Sequence, residues 1–507
     1  MASSLLYNGP DWDFRILQRS YDAIERIACD ELGLEGYPNR IEVVTSEQML
    51  DVYTAHGMPI TYRHWSYGKH FLLHESSYRR GHTNLAYEVV INSNPCITYL
   101  MEDNTATMQT LVIAHAAFGH NSFFRNNYMF RQSTDASTIL DYLEFARSYV
   151  TTCENRYGIQ MVEHVLDAAH ALSRHGVYRH GGARPMNLKT EQKRELERRE
   201  RDERMFDDLW RTVPGKRAIA DADSASERRR LLCLPEENLL YFIEKTSPRL
   251  QPWEREIVRI VRLIAQYFHP QPQVKIMNEG CATWVHQRIM SRLHETGQIN
   301  DAAFLEVLHS TSNATLQPDF DHPAGFGFNP YAIGYAMMRD IERMCVQPTE
   351  EDRVWFPDIA GNGDPLGTLH FAWANFRDES FILQFLSPAV MRKFRMFRLL
   401  DDTAQTTLLV DAIHDEAGYR SIRSSLARSY DPTENDADVQ VVDVDLTGDR
   451  RLMLRHRTRS GHLLAKRDAE DTLRYVAELW GYEVRLDEID IDTDAVLATY
   501  GTAPPLP

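Results

Sequence analysis

Two histidines in an apolar stretch have the type and spacing that could do metal chemistry. The stretch LVIAHAAFGHNSFF, at 111–124, contains His115 and His120. Imidazole is a ligand that zinc and non-haem iron take in proteins. Residues five apart on an α-helix are rotated by about 140° from one another, so the two rings can converge only if Gly119 loosens the last turn. Taken alone, the stretch favours two buried histidines with satisfied hydrogen bonds over a metal site.

A second stretch, TTCENRYGIQMVEHVLDAAHAL at 151–172, places acidic side chains and a histidine at helical spacing. Glu163, Asp167 and His170 fall on one helix face, and Glu154 lies upstream of them. An acid three residues before a histidine is the ligand spacing of helical carboxylate–histidine metal sites. The alternative interpretation is a polar helix face with an incidental histidine.

A third stretch, QVKIMNEGCATWVHQRIM at 273–290, carries Glu279 and His286 seven residues apart, which puts them on one helix face. The surrounding residues are apolar, and a carboxylate there is costly to desolvate unless a cation or hydrogen-bond donors meet it. The NEGxAT pattern resembles the segment of gluzincin metallopeptidases whose glutamate is the third zinc ligand. Here it lies much farther from the histidine stretch, and Ala116 stands where an HExxH motif has its glutamate.

Together the three stretches predict a His/Glu metal site in a helical core. The predicted metal ligands are His115, His120, Glu279 and His286. The residues predicted to support catalysis are Glu154 and His170. Zinc is the expected metal, with non-haem iron as the alternative. Such a site would lower the pKa of a bound water, and a carboxylate outside the metal's ligands could act as a base.

Composition limits the classes of protein to which the chain can belong. A net charge of -17 argues against affinity for nucleic acid or for an anionic membrane. The sequence lacks an apolar run long enough to span a membrane and a signal-peptide pattern at its start, so we expect no membrane insertion and a cytoplasmic location. The 6 cysteines are widely spread and form no CxxC pair, which makes a disulfide framework improbable.

The elements that must position these residues are mainly helices. Apolar periodicity predicts helices over 11–32, 105–120, 135–175, 236–268, 279–295 and 330–345. A hairpin is predicted from the alternation of apolar and polar residues in DVQVVDVDLTGDRRLMLRH. A helix, a glycine cap and a strand are predicted from AEDTLRYVAELWGYEVRLDEID.

These elements define the expected fold class, which is α+β and predominantly helical. A large mixed helical main domain with a few strands would be followed by a small C-terminal α+β domain. The predicted divisions are an N-terminal part of the main domain (1–185), a charged helix or linker (186–230), a helical second part of the main domain (231–395) and the C-terminal domain (396–507).

Several long motifs, in order along the chain, resemble one family. They are EGYPNRIEVVTSEQMLDVY, MPITYRHWSYGKHF, LAYEVVINSNPCITYLMEDNTATMQTLVIAHAAFGHNSFFRNNYMF, MNEGCATWVH, FNPYAIGYAMMRDI and WFPDIAG. These segments are similar to the stage V sporulation protein R (SpoVR) family, and the resemblance covers nearly the whole chain. In spore formers the family implies a role in sporulation, in making the peptidoglycan of the spore cortex. In other bacteria it implies a stress-response set that includes a PrkA-type serine kinase and a von Willebrand-like protein.

Two functions from different classes follow for this chain. The leading hypothesis is a metal-dependent hydrolase of an amide bond in peptidoglycan or its precursors, because three stretches offer metal-type ligands. The alternative is a non-enzymatic regulatory or assembly protein that acts with the kinase and the von Willebrand-like partner, and the missing HExxH glutamate favours it. A helical di-iron oxidoreductase ranks last, because only Asp167 and His170 approach an ExxH motif.

Overall fold

A computed structural model describes residues 5–49, 61–65, 88–179, 196, 232–318, 327–400, 407, 409–412, 414–444, 449–458 and 463–502. Its architecture confirms the predicted α+β class with a predominance of helix. The chain forms two compact units, each built from two separated segments. The first unit contains Met1–Tyr149 and Pro270–Asn435, and the second contains Val150–His269 and Asp436–Pro507. The domain boundaries expected from sequence stay a prediction, and the charged segment 186–230 lies outside the described residues apart from Leu196.

The helices occupy most of the described chain. They are α1 (Phe14–Arg26), α2 (Ala106–Val112), α3 (Asn121–Asn126), α4 (Tyr128–Ser133), α5 (Ile139–Tyr157), α6 (Ile159–Ala171), α7 (Leu239–Thr246), α8 (Pro252–Phe268), α9 (Lys275–Glu295), α10 (Asp301–Ala314), α11 (Pro330–Val346), α12 (Glu350–Trp355), α13 (Pro365–Asn375), α14 (Asp378–Phe385), α15 (Pro388–Lys393), α16 (Glu416–Ser429), α17 (Pro432–Asn435) and α18 (Lys466–Trp480). π-Helical segments follow α1 (Ile27–Glu31) and join α2 to α3 (Ile113–His120), and short 3₁₀ turns lie at Ser173–His175 and Gln271–Gln273. Within the described ranges, no helix is both long enough and apolar enough to cross a membrane.

The strands form small sheets in both units. They are β1 (Asn39–Val44), β2 (Glu88–Ile91), β3 (Cys96–Met101), β4 (Arg398–Leu400), β5 (Leu409–Ala412), β6 (Val439–Val444), β7 (Leu452–Thr458), β8 (Val484–Asp490) and β9 (Val496–Thr502). In the first unit β1 pairs in parallel with β3, β2 pairs with β3 in antiparallel fashion, and β4 pairs with β5. In the second unit the order is β6–β7–β8–β9, with β7 and β8 parallel.

The second unit confirms the sequence patterns near the C-terminus. β6 and β7 form the predicted antiparallel hairpin. α18 then connects the parallel strands β7 and β8, as a crossover between parallel strands requires. Gly481 ends α18 in the left-handed region at φ 89°, where a side chain would be strained. Trp480 and Leu473 of this helix are buried with alternating residues of the sheet such as Leu454 and Leu486.

Helices of the first unit approach one another closely at glycines. A Cβ on Gly280 of α9 would lie 2.5 Å from the carbonyl carbon of Gly334 in α11, and a Cβ on Gly119 would lie 2.6 Å from the Cα of Ala282. Such distances leave no room for any side chain other than hydrogen. α9 is therefore held against both α11 and the π-helical segment Ile113–His120.

The start of α9 is fixed by a side chain from α14. Asp378 accepts hydrogen bonds from the backbone N–H groups of Ile276 (2.8 Å) and Met277 (2.9 Å). The first turn of a helix leaves its N–H groups without intrahelical partners, so a buried carboxyl group is a suitable acceptor. This contact sets the position from which α9 presents its polar residues.

Candidate metal centre

The π-helical segment Ile113–His120 brings His115 and His120 together. A π-helix pairs residues five apart by its hydrogen bonds, so residues at i and i+5 lie on nearly the same face. The two imidazole rings have centroids 4.7 Å apart at an angle of 87°. The loosened turn that the sequence required of this stretch is therefore present, and it extends over the whole segment rather than only its end.

α9 completes the group by presenting Glu279 to the two histidines. One ligand atom from each of His115, His120 and Glu279 lies within 4.8 Å of the others, and we call these residues the His/Glu cluster. The Nε2 atom of His120 lies 3.6 Å from the Oε2 atom of Glu279. Both histidines are buried, and the glutamate side chain is only 16% exposed. Its Oε2 atom is buried and has no hydrogen-bond partner among the described residues.

Polar residues around the His/Glu cluster orient its imidazoles. The Nδ1 atom of His120 lies 3.0 Å from the Oδ1 atom of Asn278, which can accept a hydrogen bond from a proton on Nδ1. The Nδ1 atom of His115 lies 2.8 Å from the Nδ1 atom of His286, whose Nε2 atom lies 3.1 Å from the Oγ1 atom of Thr311. A proton on Nδ1 of each cluster histidine would leave Nε2 as the metal-ligating nitrogen, a common arrangement in metal sites.

Burial keeps His115 and His286 neutral. Desolvation first, and then the neighbouring His120 and His286, lower the pKa of His115 well below its usual value of 6.5. Burial and His120 lower the pKa of His286 to about 3. Neutral imidazole is the form that binds a metal ion, so no proton needs to leave His115 at neutral pH before it can act as a ligand.

The structure brings three of the predicted site residues together in the His/Glu cluster. The structure joins His115, His120 and Glu279, and it places His286 against His115 as a hydrogen-bond partner. Whether His286 also binds a metal directly stays a prediction. Glu154 on α5 and His170 on α6 belong to the second unit, and neither is a member of the group found among the described residues. Their supporting roles in catalysis also stay predictions.

Three residues near the His/Glu cluster were not predicted from sequence. Asn278 precedes Glu279 directly, and its position one residue before a candidate ligand was a usable signal. Thr311 on α10 and Tyr331 on α11 carried no signal, because their proximity depends on how distant helices pack. The Tyr331 ring is stacked on His115 with centroids 6.3 Å apart and planes 16° from parallel.

These features define a class of protein, a mainly helical α+β protein with a buried His/Glu group of metal-ligand type. Comparisons with known proteins then place the chain in a family. The family described as SpoVR like protein matches residues 11–435, and SpoVR-like C-terminal domain matches residues 437–491. The chain belongs to the SpoVR family.

A relative is similar to the chain over nearly the full length of both proteins. The uncharacterized protein YcgB of Escherichia coli (strain K12) is 50% identical over 487 residues, which are 96% of this chain and 94% of that protein. No solved structure matches the chain. The similarity therefore identifies the family, and any proposed chemistry rests on the geometry of the site.

Proposed function

We propose that this SpoVR-family protein is a metal-dependent hydrolase of an amide bond, with zinc held by His115, His120 and Glu279. The observation that carries the proposal is the Oε2 atom of Glu279, which is buried beside two histidines without a hydrogen-bond partner in the described part of the chain. An uncompensated buried carboxylate is costly, and a cation removes that cost. Non-haem iron takes the same ligand types and is the alternative metal.

The spacing of the His/Glu cluster fits a zinc ion. Zinc bonds of about 2.0–2.2 Å in tetrahedral geometry separate the ligand atoms by roughly 3.3–3.6 Å. The 3.6 Å between Nε2 of His120 and Oε2 of Glu279 has this value, and the remaining separations, all within 4.8 Å, need only small side-chain adjustments. Three protein ligands leave a coordination position for water or substrate, which distinguishes catalytic from structural zinc sites.

The chain's own residues would hold the ligands in place for this chemistry. Bound zinc supplies a water of lowered pKa and polarises a carbonyl group. Asn278 fixes the ring of His120, while His286 and Thr311 form a hydrogen-bonded chain behind His115. Side chains locked in this way keep catalytic ligands near a productive geometry.

The substrate and partners in this proposal follow from the family resemblance. The proposed substrate is a peptidoglycan precursor or a recycled wall fragment, because the expected location is cytoplasmic and mature wall lies outside. The proposed physiological setting is cortex formation or a stress response, together with a PrkA-type kinase and a von Willebrand-like protein. Co-purification of those two proteins with the tagged chain tests the partners separately from the hydrolase.

Metal analysis of the purified protein tests the proposed centre. We expect about one zinc per chain in the wild type and loss of zinc in His115→Ala and Glu279→Ala, because each removes a ligand. His294→Ala and Glu295→Ala are matched controls on the same helix, since both residues lie outside the His/Glu cluster. Metal-free wild-type protein, or equal zinc in all variants, would contradict the proposal.

Activity is tested on the zinc-loaded protein with muropeptides as substrates. Release of a new amine, detected by mass spectrometry, is expected from the wild type and from His294→Ala but not from Glu279→Ala. Zinc binding without amide cleavage would retain the metal centre and overturn the hydrolase assignment. Two irons per chain would instead favour an oxidoreductase.

A further inference from the structure

A cavity lies in the second unit between α18 and the inner face of the β6–β8 sheet. Its volume is about 200 Å³. Most of its lining is apolar, with Leu473 and Val476 from the helix and Leu454 and Leu486 from the strands. An apolar molecule of matching size would make packing contacts with these side chains and be removed from water there.

One polar atom at the cavity has no hydrogen-bond partner among the residues that the structure describes. His175, at the end of the 3₁₀ turn, lines the cavity, and its Nδ1 atom is buried without a hydrogen-bond partner. Desolvation by burial lowers the pKa of His175 to about 4, so the ring is neutral at physiological pH. A neutral imidazole has one nitrogen that accepts a hydrogen bond. With the proton on Nε2, Nδ1 accepts, and a hydroxyl group that reaches it would satisfy a buried atom that bears the cost of lost hydration; a hydroxyl can also accept from the other tautomer.

The buried carboxylate of Glu488, on β8 of the same unit, is already satisfied. Glu488 accepts hydrogen bonds from His456, from the backbone N–H of Leu464 and from the hydroxyl of Tyr500. Leu464 also lines the cavity, so this network closes part of its wall without offering a ligand group. Among the residues that line the cavity, His175 has the buried polar atom that lacks a partner, so an incoming hydroxyl group would be oriented on it.

We infer that this cavity binds a small uncharged molecule with an apolar, ring-sized body and one hydroxyl-type hydrogen-bond donor directed at His175. The apolar lining disfavours a charged ligand, and Asp468, exposed at the start of α18, disfavours an anion at the rim. An apolar cavity of about 150 Å³ accommodates benzene, so this one has room for a substituted ring. The site is independent of the proposed metal centre, which lies in the other unit.

Phenol and toluene form a matched pair of probes for this site, because they differ in one hydroxyl and one methyl group. Titration of the full chain, followed by saturation-transfer NMR of the probe, should show saturable phenol binding and about tenfold weaker toluene binding. This comparison uses unaltered protein, so it does not depend on whether a variant folds. Absence of saturable phenol binding, or equal affinity for the two probes, would overturn the inference.

Variants locate the binding within the cavity. Ala469→Phe places a ring in the cavity and should abolish phenol binding, whereas Glu470→Phe adds the same ring at an exposed neighbouring position and should leave it unchanged. His175→Phe should weaken phenol binding about tenfold and leave toluene binding unaltered. Phenol binding that survives Ala469→Phe, or that is insensitive to His175→Phe, would show that the probe binds elsewhere and overturn the assignment.

Discussion

Two regions of the molecule bury a histidine beside a glutamate, and they differ in how the carboxylate is satisfied. In the second unit, Nδ1 of His456 lies 2.9 Å from Oε1 of Glu488, which is fully buried between β7 and β8. In the first unit, Nε2 of His120 lies 3.6 Å from Oε2 of Glu279, beyond hydrogen-bond distance. We call His456–Glu488, which is hydrogen-bonded, the closed pair, and His120–Glu279, which is not, the open pair.

The number of donors explains the difference. Oε1 of Glu488 accepts from His456 and from the backbone N–H of Leu464 at 2.9 Å, and Oε2 accepts from the Tyr500 hydroxyl at 2.8 Å. Oε2 of Glu279 accepts a hydrogen bond from no group that the structure describes. A buried carboxylate with its full set of donors stabilises a fold, whereas one that lacks them marks a place where a cation or ligand is expected.

The largest expected effect comes from removing each glutamate in turn. In metal-free protein, Glu488→Ala should lower the free energy of unfolding by about 3–5 kcal/mol, because three buried donors lose their acceptor. Glu279→Ala removes the same atoms and should leave the free energy of unfolding unchanged or raise it, because no hydrogen bond to Oε2 is lost and the cost of the uncompensated buried carboxylate is removed. Urea denaturation and hydrogen exchange of the β7 and β8 amides measure the two effects. Equal losses in both variants would show that the regions do not differ.

A pH series would sharpen the comparison, because the helix that carries Glu279 is anchored by a buried acid. Burial raises the pKa of Asp378 from 3.8 to about 7. A raised folded-state pKa means that Asp378 stabilises the fold fully below about pH 4 and that this contribution is lost as the pH rises through about 7. The loss should be roughly 2–4 kcal/mol.

Asp378→Asn cannot titrate and should lack this decline between about pH 4 and pH 7. Urea denaturation of wild type and variant at several pH values measures the difference in slope. Asp378 lies in the first unit, so the loss of stability with rising pH should persist in Glu488→Ala, which alters the second unit. Identical pH profiles for wild type and Asp378→Asn would contradict the assignment.

The smallest expected effect concerns the residues behind the metal ligands. Asn278→Ala should weaken zinc binding about 10- to 100-fold, because His120 loses the acceptor that orients it. Tyr500→Phe, which removes a hydrogen bond from the closed pair, should leave zinc affinity unchanged. Competition with a chromogenic chelator measures both affinities. An unchanged zinc affinity in Asn278→Ala would contradict the role of Asn278 in orienting His120 as a zinc ligand.

Residue pattern was sufficient to predict much of the fold. Apolar periodicity predicted the helices that became α8, α9 and α11, and alternation with a turn predicted the β6–β7 hairpin. The helix predicted over 135–175 is interrupted at Gly158, whose φ of 92° breaks the chain into α5 and α6. A glycine in a helical pattern is compatible with either outcome until its backbone angle is known.

The candidate site was only partly predictable, because its geometry depends on a departure from α-helical winding. A prediction from apolar periodicity assumes the α-helical winding of about 3.6 residues per turn. With that winding, the side chains of His115 and His120 would point in different directions. Gly119 signalled a local irregularity, although its other role, the close approach of Ala282, depends on α9. The contact of Thr311 with His286 joins α10 to α9 and leaves no trace in the local sequence.

The π-helical winding makes the metal centre depend on how many residues the segment contains as well as on which ones. Deleting Ala117 would restore α-helical register and leave the histidines four apart, so their rings could still share a face. Deleting Ala114 would restore the same register but keep the histidines five apart, and their rings would then diverge by about 140°. Two shortenings of equal size, three positions apart, would thus have opposite consequences for a bound ion.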